Sequence, residues 1–164
     1  MAIVEMLLTE FDAEGANTRK SLERFPEAKA EWKPHTKSFS MTGLAGHIAT
    51  LPGFAKAVAS TERMDMKGGD YKPFYPKTAG EALARYEQEA KDAREALAKL
   101  SDAELAKTWT FAWEGTTMIE TPRVEALRSF YFNHIVHHRA QLLVYYRLND
   151  VAVPGLYGPS ADEQ

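Results

Sequence analysis

Apolar residues recur at three- and four-residue intervals in four stretches of the chain, and this spacing predicts four amphipathic helices. In the first, Val4, Leu7, Leu8, Phe11, Thr18, Leu22 and Phe25 share a stripe, and Pro26 ends the run. The second runs from Ser40 to Ala59, with Leu44, His47, Ile48, Leu51, Phe54, Ala55 and Val58 along one face. Pro52 lies inside it; without an N–H it cannot bond the Ile48 carbonyl, so a bend is expected there. The third opens with Thr78-Ala79-Gly80-Glu81, a capping-box pattern, and continues through Leu83, Tyr86, Ala90, Ala93, Leu97 and Leu100. Thr121 and Pro122 read as the N-cap and first residue of the fourth. Its stripe is Leu127, Phe130, Tyr131, His134, His138, Gln141, Leu142 and Tyr145.

Between these lie long connections. Glu27 to Phe39 and Ser60 to Lys77 are rich in Pro, Gly, Lys and aromatic residues and carry no clear period. Ser101-Asp102-Ala103-Glu104 resembles the cap of a short extra helix, and Thr108 to Glu120 alternates around Glu114-Gly115 in the manner of a small hairpin. The tail after Asn149 is irregular. Four stripes of this length are buried most simply in an all-α four-helix bundle with long connecting loops, a single domain over residues 1–164.

Composition narrows the chemistry. Twenty Lys and Arg against 23 Asp and Glu give a net charge of -3, so no basic surplus exists to neutralise phosphates and nucleic acid is not expected as a partner. There is no cysteine, which removes disulfides, thiolate metal sites and a Cys nucleophile together. No stretch approaches the ~20 apolar residues that span a bilayer. The first eleven residues, with Glu5 and Glu10, read as a helix rather than a signal peptide. A cytoplasmic protein with no membrane association is the expectation.

The candidate chemistry lies in the histidines. His134 and His138 are four apart, which on a helix places both rings on one face, one turn apart. Both occupy stripe positions where a bundle would ordinarily carry Leu, and His47 does the same in the second helix, so three of the five histidines point at the core. An unpaired buried polar ring costs about 1–3 kcal/mol, and several together call for a shared reason. A divalent transition metal on three neutral imidazoles provides one. The competing reading is three separately hydrogen-bonded core histidines. The metalloprotease pattern fails because Ile135 follows His134, and the Glu-x-x-His pairs of di-iron bundles do not occur. Haem on two axial histidines would leave the third unexplained.

Other polar residues are candidates to assist. Gln141 shares the ligand face one turn beyond His138, Glu14 falls near the first stripe and is a possible general base, and His137 lies about 60° around the helix from His134. Arg139 is off that face and suits packing, a salt bridge or a dimer contact. His35 is expected in solvent. The loops carrying Trp32, Phe74 and Tyr75 are where substrate contacts are sought.

The run Asn133-His134-Ile135-Val136-His137-His138-Arg139-Ala140-Gln141-Leu142 resembles the last-helix signature of the DinB/YfiT-like superfamily, and Leu44-Ala45-Gly46-His47-Ile48 resembles its second-helix motif. The resemblance implies a four-helix bundle with His47, His134 and His138 as ligands of Zn or Ni, with Fe or Mn as alternatives, often as a homodimer. Family members with assigned reactions include thiol-dependent S-transferases and a maleylpyruvate isomerase that uses a low-molecular-weight thiol; others are described as metal-dependent hydrolases, and many have no assigned reaction. The resulting expectation is a metal-dependent enzyme acting on a small molecule, by thiol S-transfer with a low-molecular-weight thiol co-substrate. The alternatives are metal-dependent hydrolysis and a non-catalytic, stress-associated metal-binding bundle.

Overall fold

A computed structural model describes residues 2–163. Helix α1 (Ile3–Leu22) buries Leu7, Phe11, Thr18 and Leu22 as the periodicity predicts, and Glu14 with them. Its first N–H groups find their acceptor far along the chain. The Asp102 carboxylate, at the start of the short helix α5 (Asp102–Ala106), accepts from Ile3 and Val4 N–H at 3.0 and 3.1 Å. The second predicted helix is two, α2 (Met41–Thr50) and α3 (Pro52–Ser60). Pro52 does more than bend the chain: it becomes the first residue of a new helix, where its missing N–H has no partner to lose. In α4 (Ala79–Leu97) the Thr78 hydroxyl accepts from Glu81 N–H at 3.1 Å. The reciprocal half of the box slips by one residue, the Glu81 carboxylate accepting from Lys77 N–H at 2.8 Å.

The last helical run has three parts: α6 (Arg123–Leu127), a π-helical turn over Arg128–Phe132, and α7 (Asn133–Arg147). It starts later than Thr121-Pro122 suggests. Pro122 is the N-cap, and the Thr121 hydroxyl donates to the Glu125 carboxylate at 2.8 Å instead of capping the backbone. Helices α1, α2, α3, α4 and α7 pack about a core that includes Phe11, Leu44, Ile48, Tyr86, Leu97, Tyr131 and Ile135.

The expectation of an all-α four-helix bundle is overturned by a three-stranded mixed sheet, β1 (Arg63–Met66), β2 (Thr108–Trp113) and β3 (Thr116–Pro122), in that spatial order. Strands β2 and β3 form the hairpin around Glu114-Gly115, whose φ angles of 49° and 80° suit a tight two-residue turn. Strand β1 comes from the Ser60–Lys77 connection and pairs with β2 in parallel, which requires the long crossover through α4 and α5. The sheet is held on the helices by Trp109, fully buried, and by Arg123, whose guanidinium donates to the Val58 and Ala59 carbonyls at 2.8 and 2.9 Å. Those are terminal carbonyls of α3, where a cation also meets the negative end of the helix dipole. Among the described residues no helix is long and apolar enough to cross a membrane.

Candidate metal centre

Helices α2 and α7 pack side by side and bring His47 against His134 and His138. The ring centroids are 4.5 to 5.1 Å apart, and one ligand atom from each residue lies within 4.8 Å of the others. The three-His group can hold a metal ion. His47 Nε2 and His134 Nε2 are 3.3 Å apart. Two nitrogens bound tetrahedrally at about 2.0–2.1 Å from Zn²⁺ would be separated by roughly 3.3–3.4 Å, so the spacing of this pair fits two ligands of one such ion.

Two of the rings are also engaged on their other nitrogen. His47 Nδ1 is 3.3 Å from the Tyr71 hydroxyl, and His138 Nδ1 is 2.8 Å from Gln141 Oε1. We assign the proton of these two rings to Nδ1 on this pattern, which leaves their Nε2 atoms unprotonated and able to ligate. Partners on the far nitrogen fix ring orientation and raise ligand basicity. Phe130 lies in the π turn immediately before α7, and such turns recur at functional sites.

Burial lowers the pKa of all three rings. His47 is brought down to about 4, by desolvation first and then by His138 and His134. His134 and His138 also fall below the ordinary imidazole value through desolvation, partly offset by their bonds to Phe130 and Gln141. All three are therefore neutral near pH 7, the form that ligates metals.

The rings are half-buried at the margin of the core rather than in it. Along the π turn and α7 the deepest face is Tyr131, Ile135, Arg139, Leu142 and Tyr146, turned about one residue from the stripe expected from periodicity. Two aromatic side chains flank the site. Phe39 stacks on His47 at 5.7 Å and meets His138 edge-on at 6.2 Å; Tyr71 meets His47 edge-on at 6.4 Å. Gly46 permits this arrangement. A Cβ there would stand 1.7 Å from the Phe74 carbonyl oxygen, so only glycine lets the 71–76 segment lie on α2 one residue before His47.

The other sequence candidates scatter. Gln141 is at the site, on the back of His138. His137 is exposed, its ring edge-on to His138 at 4.8 Å, outside the three-His group. Glu14 is not beside the histidines' donor atoms but is ion-paired to Arg139, which is 1% exposed and also donates to Thr18 Oγ1 at 3.0 Å. The Tyr157 hydroxyl donates to the same carboxylate at 2.8 Å. Of the loop aromatics, Trp32 packs edge-on against Tyr145 at 5.4 Å, and Phe74 lies under the Arg85 guanidinium at 5.7 Å. Tyr75 lies near Gly43, its ring carbon 3.5 Å from where a Cβ would stand. Phe39 and Tyr71 are the site residues that sequence reasoning missed; both come from aperiodic loops, and only their aromatic character in those loops was a signal.

The profile of the DinB superfamily matches residues 10–142 of this sequence. No curated protein matches it. Among solved structures, a DinB-like protein from Bacillus cereus aligns with a TM-score of 0.74 at 22% identity, covering 95% of this chain and 98% of its own. A DinB-like protein from Bacillus subtilis aligns with a TM-score of 0.70 at 16% identity, covering 94% and 99%. At these identities the two structures speak to the fold alone. The extent of the profile match decides the family: the chain belongs to the DinB superfamily.

Proposed function

We propose that this protein is a metal-dependent enzyme acting on a small molecule, with His47, His134 and His138 as the ligands of one divalent ion, Zn²⁺ or Ni²⁺ first and Fe²⁺ or Mn²⁺ as alternatives. The observation that carries the reading is the convergence of three imidazoles from two helices, one ligand atom of each within 4.8 Å of the others, with His47 and His138 held on their far nitrogen by Tyr71 and Gln141. Three separately satisfied histidines would have no reason to converge. Among the described residues the group contains three ligands, whereas structural zinc sites are usually closed by four protein ligands. Open positions favour an enzyme over a purely structural ion.

When bound, such an ion supplies Lewis-acid charge that lowers the pKa of a coordinating thiol or water. The chain's own residues hold the neutral imidazoles in place, and the Phe39 and Tyr71 rings flank them on two sides. Thiol S-transfer is the preferred reaction. The thiol would come from a low-molecular-weight co-substrate, since the chain has no cysteine. Hydrolysis would profit from a protein carboxylate as general base, and Glu14, the one the sequence offered, is committed to Arg139 and Tyr157.

The test is an assay of Zn²⁺- and Ni²⁺-loaded protein with small thiols and an activated electrophile, beside ester and amide substrates. S-conjugation that requires the ion and disappears in His134→Ala supports the reading. Metal-dependent ester cleavage without S-conjugation replaces it with a hydrolase, and inactivity in both assays leaves a metal-binding protein without this chemistry.

A further inference from the structure

The contact between α2–α3 and the last helical run does not end at the three rings. His47 faces His134; further along, Phe54 faces Phe130 with centroids 6.4 Å apart. Phe54 also lines a cleft of about 280 Å³ between α2–α3, β1, the 70–72 segment and α4, near the lower end of small-molecule sites. Its apolar wall is the half-buried Phe54, Met64 and Met66, the two thioethers coming from β1. Tyr71 lines the cleft and also touches the candidate centre through His47 Nδ1, and Thr50, three residues beyond His47 on α2, lines the cleft as well. Tyr71 is thus a shared wall between cleft and histidines.

The cleft's charged residues are unequal in what they offer. Its carboxylates are engaged: Asp70 accepts from Lys67 N–H at 2.9 Å, and Glu89 pairs with Arg85 at 2.7 Å. The Arg85 guanidinium is held by that pair and by the Phe74 ring beneath it, so it is oriented while most of its N–H donors remain for a ligand. Lys72 adds a second cation to the lining. A ligand ending in a cation would compete with both. A ligand ending in a carboxylate would meet donors already in position.

We propose that this cleft seats the non-reacting part of the substrate, and that the substrate is a small carboxylate with an apolar body. The body lies on Phe54 and the Met64 and Met66 thioethers, where soft, adaptable side chains tolerate varied shapes. The carboxylate is met by Arg85 and Lys72, and the reactive end passes Tyr71 to reach the imidazoles. Only that last clause rests on the metal reading; the selectivity of the cleft can be tested without an ion.

The experiment titrates phenylbutyrate into protein carrying isotope-labelled methionine methyl groups, metal-free and Zn²⁺-loaded, with phenylbutanol and phenylbutylamine in parallel. Met64→Leu and Met66→Leu assign the two resonances. Phenylbutyrate is expected to move both methyls in both forms and to bind about fivefold tighter than the alcohol, the equivalent of about 1 kcal/mol. Arg85→Gln should abolish that preference, Arg85→Lys should keep part of it, and His134→Ala should leave it intact. Failure to move either methyl overturns the proposal, as does equal binding of the alcohol or amine, or an unchanged preference in Arg85→Gln. A parent protein that takes up no Zn²⁺ yet keeps the carboxylate preference would support the cleft while removing the metal reading.

Discussion

An imidazole has two nitrogens, and the candidate centre depends on both. Gln141 holds His138 from behind, so Gln141→Leu should weaken Zn²⁺ binding by about 10–100-fold in a chelator competition with the fold unchanged. Unchanged affinity would mean that the bond to His138 has no orienting role. The three-His group was legible in the sequence, because His-x-x-x-His puts two rings on one face and His47 interrupts a second stripe. Gln141, on the same face, bonds His138 three residues away. The sequence could not place Glu14, whose partner lies 125 residues away. That pair is buried, so Glu14→Ala should cost about 3–5 kcal/mol in urea unfolding by stranding the Arg139 charge. The double replacement Glu14→Leu with Arg139→Met should recover much of the loss. If the single change is neutral, the pair does not hold α1 to α7.

At the scale of elements, local signals are legible in the sequence and long-range pairings are not. The helices, the short helix at Ser101 and the hairpin at Glu114-Gly115 announce themselves through period, caps and turn residues. Strand β1 has four residues, and its partner is reached only through a parallel crossover, so nothing in its own pattern sets it apart from a loop. The π turn is equally silent in the sequence, although it leads directly into the helix that carries His134 and His138. Gly46 links element to site. Gly46→Ala should force the 71–76 segment off α2, destabilise the protein by about 1–3 kcal/mol, and separate Tyr71 from His47. Thermal unfolding together with Zn²⁺ affinity checks this; a variant matching the parent in both would show that the loop does not need its seat on α2.

Across the whole molecule, the C-terminal tail closes what α1 and α7 begin. Tyr157 lies over the Arg139 guanidinium at 5.6 Å, and Arg147 holds Asp162 through bonds of 3.1 and 2.7 Å. Removing residues 151–164 should admit water to the Glu14–Arg139 pair and lower stability by about 1–3 kcal/mol, a fall in Tm of several degrees. An unchanged Tm would mean that the tail is only draped on the surface. The central claim, however, is that three residues from two distant segments form one metal site. Its most direct test is the metal stoichiometry of untagged protein, by elemental analysis and Zn²⁺ titration, beside His47→Ala, His134→Ala and His138→Ala. The account predicts about one equivalent bound by the parent and tight binding lost in all three variants, with helical content preserved. No uptake by the parent, or retention of the ion by any variant at parental affinity, would contradict it.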